Sequence, residues 1–233
     1  MITIQIQGSS SAGNNYVISD GDTSIMLEAG LSPSKLTKKG VKLSKVIALL
    51  VTHEHGDHTK HVQDLLLSGS FDVWASQGTL DAIGLGRRCH VLKDGQQQRI
   101  GDWLILPFNT VHDDPKVPAK EPLGFFIKSP SGERIVFATD TNRIDANFKG
   151  VTHWLVECNH DVDLVLSSNY PKFLQRRIIS THMSIDSLKE YFRRVDLSTT
   201  KQIYLLHLSE SNSDPTRFKR EIEELTNKTV TIA

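Results

Sequence analysis

Polar and apolar residues alternate over the first segment, ITIQIQ, with the period of two that a half-buried strand requires. A loop of small residues, Gly8 to Asn15, follows it. YVIS and SIMLE then read as two strands joined by the turn Asp20-Gly21-Asp22, with Gly30 closing the hairpin. Residues 33 to 40 predict a short helix, with Pro33 in its first turn and Gly40 at its end. VIALLV, residues 46 to 51, is a continuous apolar run and suits a central strand buried on both faces. After a polar segment, Val62, Leu65 and Leu66 recur at helical spacing, and Asp57 stands where an N-cap would sit. Short strands and helices alternate to about residue 108. GFFIKS and RIVFAT then read as a hairpin around Pro130-Ser131-Gly132. The last third predicts a strand (THWLVE), a helical stretch near 161–178 and a helix at 184–194. A strand (QIYLLH), a helix at 215–226 and a strand (TVTI) complete it. Strands face helices in both halves, so an α/β fold is expected, with sheet layers inside and helices outside.

Composition sets bounds on this picture. The chain has 233 residues, 38% hydrophobic and 23% charged, which suits a single globular domain over 1–233 rather than a disordered chain. No apolar run approaches the ~20 residues that span a bilayer. MITIQIQG lacks the features of a secretory signal, so a cytoplasmic location is expected. Cys89 and Cys158 fit no ligand motif and are expected as free thiols. The formal net charge of zero gives no global pull toward nucleic acid, though a local basic face is compatible with it.

The densest chemistry is Thr52-His53-Glu54-His55-Gly56-Asp57-His58, directly after the apolar run. Imidazole and carboxylate are the usual ligands of zinc and related divalent ions. In an extended loop residues two apart point to one side, so His53 and His55 can share an ion, while Asp57 and His58 can face a second. Further ligands are expected at the ends of other strands. His112 follows WLILPFNTV, Asp140 ends RIVFATD and His207 ends QIYLLH. The seven divide into His53, His55 and His112 for one ion and Asp57, His58 and His207 for the other. Asp140 would bridge them, and a bridging water would be the nucleophile.

HEHGDH, followed by a spaced His, an Asp and a late His, resembles the metallo-β-lactamase superfamily. GSSSAGNN, VTHEHGDH, VHDDP, ATDT, VECNHD, STHMS and YLLHLSESNS resemble its YycJ/WalJ branch in order and spacing, from about residue 5 to 215. The resemblance implies an αββα sandwich of two packed mixed sheets flanked by helices. It implies two divalent ions, zinc or manganese, and 5′-to-3′ exonuclease action on DNA in repair or recombination, alongside partner proteins of those processes. By position it assigns His182 of STHMS as a proton donor and Glu157 of VECNHD as the residue orienting it. Asp57 is placed among the catalytic residues as well as the ligands. Two positions depart from the branch: Glu28 stands where Asp is usual, and Thr181 where Gly is usual.

Other residues carry weaker signals. His160 reads equally as a phosphate contact or a buried core histidine. His61 reads as a surface residue, and His90 and His153 receive no role. Lys172, Arg176 and Arg177 could meet phosphates or form a solvated helix face. The Gly8–Asn15 loop could approach a substrate or be a plain tight connection. The competing functional class is a small-molecule hydrolase, such as a lactonase, thioesterase or cyclic-nucleotide phosphodiesterase. The His182–Glu157 pair discriminates, because an alkoxide leaving group needs a proton donor.

Overall fold

In a computed structural model, residues 2–114 and 116–233 are described; Met1 and Pro115 of the VHDDP motif lie outside them. The strands are β1 (Thr3–Gly8), β2 (Asn15–Ser19), β3 (Ser24–Leu27), β4 (Val46–Leu50), β5 (Asp72–Ala75), β6 (Cys89–Val91) and β7 (Gln98–Ile100). They continue with β8 (Trp103–Asn109), β9 (Leu123–Lys128), β10 (Arg134–Ala138), β11 (His153–Glu157), β12 (Gln202–Leu206) and β13 (Thr229–Ile232). The helices are α1 (Pro33–Lys38), α2 (Gly56–Thr59), α3 (Val62–Ser68), α4 (Gln77–Ile83), α5 (Val162–Ser167), α6 (Lys172–Thr181), α7 (Ile185–Arg194) and α8 (Pro215–Thr226). The strands form two sheets, one of six in the order β1-β2-β3-β4-β5-β6 and one of seven in the order β13-β12-β11-β10-β9-β8-β7. Contacts divide the chain into two compact units. One runs to Asn109 and includes Ala119–Leu123 and Ile127–Glu133; the other comprises Thr110–Pro118, Gly124–Phe126 and Arg134–Ala233.

In the first unit, β1, β2 and β3 form an antiparallel meander, and β3, β4, β5 and β6 are parallel. β4 lies between β3 and β5 and is buried at Leu49 and Leu50 on successive faces, which explains its unbroken apolar sequence. Met26, Leu49, Val51, Leu65, Phe71 and Val73 share one buried cluster. The second unit carries a parallel ladder, β10-β11-β12-β13. Trp154 of β11 packs edge-on against Tyr191 and Phe192 of α7, at 5.8 and 5.6 Å between ring centroids. Its indole N–H donates to Thr200 Oγ1 at 3.0 Å, so this large ring is buried without leaving a donor unmet.

Two helix expectations need correction. The helix expected from Asp57 past Val62, Leu65 and Leu66 is two, α2 and α3, with N-caps His55 and His61, and Asp57 lies inside the first turn of α2. Asp57 there faces the positive end of the short helix, a favourable place for a carboxylate although not the cap itself. The helical stretch expected over 161–178 is two helices, α5 and α6. Pro171 cannot extend a helix begun upstream, because it lacks an N–H and restricts Tyr170 before it; it serves instead as the N-cap of α6. Both cysteines are free thiols. No described helix is long and apolar enough to cross a membrane.

Three segments of the first unit are woven together by backbone hydrogen bonds. Asn14 N–H donates to Asp57 O and Gly30 N–H to Asn14 O, both at 2.9 Å; Ala29 N–H donates to His58 O at 2.6 Å. The weave requires glycine at position 30, where a Cβ would fall 1.9 Å from Asp57 O and 2.4 Å from Asn14 N. Gly30→Ala is therefore expected to cost about 1–3 kcal/mol, the range of an overpacked site. Calorimetry should register a melting temperature lower by roughly 2–12 °C. Gly56→Ala, whose Cβ meets nothing within 4 Å, is the control that should not fall.

Candidate metal and proton-transfer centre

The first unit gathers His53, His55, Asp57 and His58 immediately past the end of β4. His53 and His58 are fully buried. The ring of His53 lies 4.6 Å from that of His55 and 4.2 Å from that of His58, centroid to centroid. Thr52 Oγ1 is 2.9 Å from His53 Nδ1. Asn14 Nδ2 donates to Asp57 Oδ2 at 3.0 Å and reaches His58 Nε2 at 3.1 Å. On the other side of that imidazole, Glu28 Oε2 lies 3.3 Å from His58 Nδ1. Burial pushes the Glu28 carboxyl above its ordinary pKa, against the opposing pull of His58.

The second unit gathers His112, Asp140, Glu157, His182 and His207. One potential ligand atom from each of the last four lies within 4.8 Å of the others. His112 donates from Nδ1 to Thr181 O at 3.1 Å, which leaves Nε2 as its unprotonated nitrogen. Its Nε2 is 4.0 Å from Asp140 Oδ2. Burial lowers the pKa of His112, so the imidazole is neutral. His207 Nδ1 sits between two carboxylates, 3.1 Å from Glu157 Oε1 and 3.2 Å from Asp140 Oδ1. A proton held on that nitrogen turns Nε2 into the electron-pair donor.

Glu157 is fully buried and collects donors on both oxygens. Oε1 accepts from His182 Nδ1 at 2.6 Å and from His207 Nδ1 at 3.1 Å. Oε2 accepts from the N–H groups of Thr141 at 2.8 Å and Met183 at 3.2 Å. Burial alone would raise its pKa, but the charge and hydrogen bond of His182, with His207, hold it well below the ordinary value. The same pairing works in reverse on His182. Burial would lower it, and Glu157 outweighs burial and raises it to about 9. At neutral pH this is an ion pair whose imidazolium keeps a proton. The His182 side chain retains 18% exposure, so that proton is not sealed in.

Glu28, Asp140 and His207, each just past a strand, have left-handed backbone, with φ of 65°, 46° and 54°. Such geometry in a non-glycine residue costs of order 1–3 kcal/mol and is found where the surroundings fix a side chain for use. Here it turns the chain back at the strand end.

The remaining sequence signals resolve differently. His61 is bonded to Asp64 at 2.9 Å on the surface. His90 pairs with Asp72 and stacks on Trp74. His153 Nδ1 lies 2.9 Å from Thr152 Oγ1. His160 is fully buried and burial pushes its pKa down to about 4, so it is neutral; its carbonyl accepts from Ile185 N–H at 2.9 Å. Arg177 is paired with Asp114 rather than standing in a solvated row. Sequence reasoning gives no role to Asn14, Glu28 or Thr52. Their signals, a polar residue in a glycine loop and a charge beside a buried strand, become specific only once the backbone weave is known.

A buried set of imidazoles and carboxylates fits a divalent cation better than any organic group. If His58 is a ligand, Glu28→Ala is expected to weaken divalent-cation binding 10- to 100-fold, the usual cost of losing the partner that orients a ligating histidine. Competition with a chromophoric chelator measures this. Glu28→Gln, which keeps the shape and a hydrogen-bonding group, should lose less.

The family model described as "Beta-lactamase superfamily domain" matches residues 22–208. The chain is 30% identical over 226 residues to Exodeoxyribonuclease WalJ of Streptococcus pneumoniae, covering 89% of this chain and 82% of that protein. It is 29% identical over 225 residues to Exodeoxyribonuclease YycJ of Bacillus anthracis, covering 89% and 83%. Among solved structures, the metallo-β-lactamase fold protein YhfI of Bacillus subtilis superposes with a TM-score of 0.73 at 15% identity, covering 100% of this chain and 96% of that one. The fold is thus the αββα metallo-β-lactamase sandwich, built from two mixed sheets flanked by helices.

Proposed function

Because the chain belongs to the beta-lactamase superfamily, we propose that this metal-dependent hydrolase is a DNA exonuclease acting 5′ to 3′ in repair or recombination. The observation that carries the reading is the buried Glu157–His182 ion pair, in a chain related to proteins named exodeoxyribonucleases. His53, His55 and His112 would hold one divalent ion, Asp57, His58 and His207 a second, and Asp140 would serve both. Zinc and manganese are the candidates. Bound ions of this kind supply an activated water and offset charge on the phosphoryl group.

The chain's own contribution is proton transfer. Phosphodiester cleavage at a sugar expels an alkoxide, which leaves poorly unless it is protonated. Glu157 holds Nδ1 of His182, so the other ring nitrogen carries the deliverable proton to the leaving 3′ oxygen. A pKa near 9 keeps that proton in place at neutral pH. Hydrolysis of a thioester expels a thiolate and makes less demand on such a donor, so the pair favours phosphodiester cleavage over thioesterase action; the relatives named exodeoxyribonucleases favour DNA over a smaller phosphodiester.

The direct test is turnover of end-labelled DNA strands with zinc and manganese, beside a panel of lactones, thioesters and cyclic nucleotides. Release of nucleotides from the 5′ end is the expected result; turnover confined to the small molecules would overturn the reading. His182→Ala is expected to lose 10²- to 10⁴-fold in rate on DNA, the usual worth of a positioned acid. The loss should shrink on bis-p-nitrophenyl phosphate, whose leaving group needs no proton. Equal losses on both substrates would remove the proton-donor role.

A further inference from the structure

The segment after β8 and the helix α6 meet in a series of regular contacts. His112 donates to Thr181 O at 3.1 Å. Two residues on, Asp114 accepts from Arg177 Nε at 2.8 Å. Two further on, Lys116 Nζ lies 5.1 Å from the centre of the Phe173 ring. The loop advances two residues per contact while the helix retreats four. Two residues of open chain span up to about 7 Å, and four residues of helix span about 6 Å, so the two chains stay in step. The contacts lead from the centre, where α6 ends at His182, out to the surface.

At the outer end Phe173 is 60% exposed, and Leu166 on α5 is 51% exposed. An exposed phenyl ring under a lysine ammonium is not a core contact. The α6 sequence KFLQRRIIST contains three cations and no acid, in a chain whose formal net charge is zero. Asp114 neutralises Arg177. Lys116, Lys172 and Arg176 have no acidic partner among the described residues. An exposed aromatic ring flanked by unneutralised cations is the combination that binds single strands, with a base on the ring and phosphates on the ammonium groups. Phe173 precedes His182 by nine residues, roughly 13 Å along the helix, the length of up to about four nucleotides at the stacked rise of 3.4 Å per strand.

We propose that the track from His182 to Phe173 binds the single-stranded segment of a DNA substrate, with Phe173 stacking a base within about four nucleotides of the bond that is cut. The inference rests on the nuclease reading and adds to it a subsite and a minimum substrate length. Asp114 acts by positioning, since it fixes Arg177 and with it the register between loop and helix.

The test uses the full chain and a fluorescein-labelled eight-nucleotide single strand, titrated by anisotropy in chelator, where no cleavage occurs, and then assayed for turnover with metal. Phe173→Ala should raise the Kd roughly 5- to 150-fold, the span of one base stacked on an aromatic side chain. Phe173→Trp should restore binding. Lys116→Ala should reduce the slope of log affinity against log salt by about 0.7, one phosphate contact on a single strand. A two-nucleotide substrate, too short to reach Phe173, should show no difference in KM between wild type and Phe173→Ala. If wild type binds and cleaves the eight-mer and Phe173→Ala does so equally well, the track is wrong and the nuclease reading stands. If wild type neither binds nor cleaves it but releases nucleotides from the 5′ end of a duplex, the track falls and the nuclease reading stands; release from neither overturns both. A wild-type dimer in sedimentation that Phe173→Ala dissolves would assign the patch to a second copy of the chain and overturn the proposal.

Discussion

A carboxylate taken out of water is stable only if its environment replaces the hydration it loses, and the second unit is organised around one such group. Glu157 has no exposure, so four donors must converge on it. They come from the segment past β10 (Thr141), from the link between α6 and α7 (His182 and Met183) and from the end of β12 (His207). Removing any one would leave a buried charge short of a partner. The demand of this anion thus fixes where separate parts of the chain end. The same demand makes His182 a cation and settles the tautomer of His207, so electrostatic stability and chemical readiness come from one set of bonds.

The first unit holds a buried carboxylate under different terms. Glu28 meets one imidazole, His58, and the Thr52 N–H at 3.4 Å. With fewer donors burial prevails, and its pKa rises where that of Glu157 falls. The contrast separates two uses of one side chain. A carboxylate with four donors stays ionised and stores a proton on its neighbour. A carboxylate with two weak contacts chiefly orients a ring. Asn14 completes that orientation from the opposite side, and the backbone weave through Gly30 holds Asn14 and the His58 turn in register.

Much of this is legible in the sequence because the signals are local. An unbroken apolar run, VIALLV, identifies a strand between two others, and the contiguous HEHGDH marks where imidazole and carboxylate groups concentrate. The strand ends bearing Asp140 and His207 can be read for the same reason, each being a polar residue at the end of an apolar run. What escapes is whatever depends on several segments meeting. Nothing local in Glu28 or Asn14 announces that both attend His58. The break at Pro171 is a local signal, but an apolar pattern on both sides of it reads as one helix. Asp57 fits the composition of an N-cap, yet the cap of α2 lies two residues earlier, at His55, whose ψ of 148° is outside the helical range.

The left-handed residues connect these levels. Glu28, Asp140 and His207 each adopt a backbone state that a side chain disfavours, and glycine would adopt it at lower cost. Glycine would carry no carboxylate or imidazole, so chemistry and backbone preference conflict at each position. The conflict can persist only where neighbouring structure over-determines the chain. The β3–β4 ladder runs up to Leu27, immediately before Glu28, and the β11–β12 ladder up to Leu206, immediately before His207. Hydrogen-bonded strands arrive at these residues already fixed, and each residue is tied at once by a further hydrogen bond: Glu28 N–H donates to Leu50 O, and His207 O accepts from Asn159 Nδ2. The strain is local, the restraint is distributed over the ladders, and that difference lets a few polar side chains be held in one orientation without a glycine at the turn.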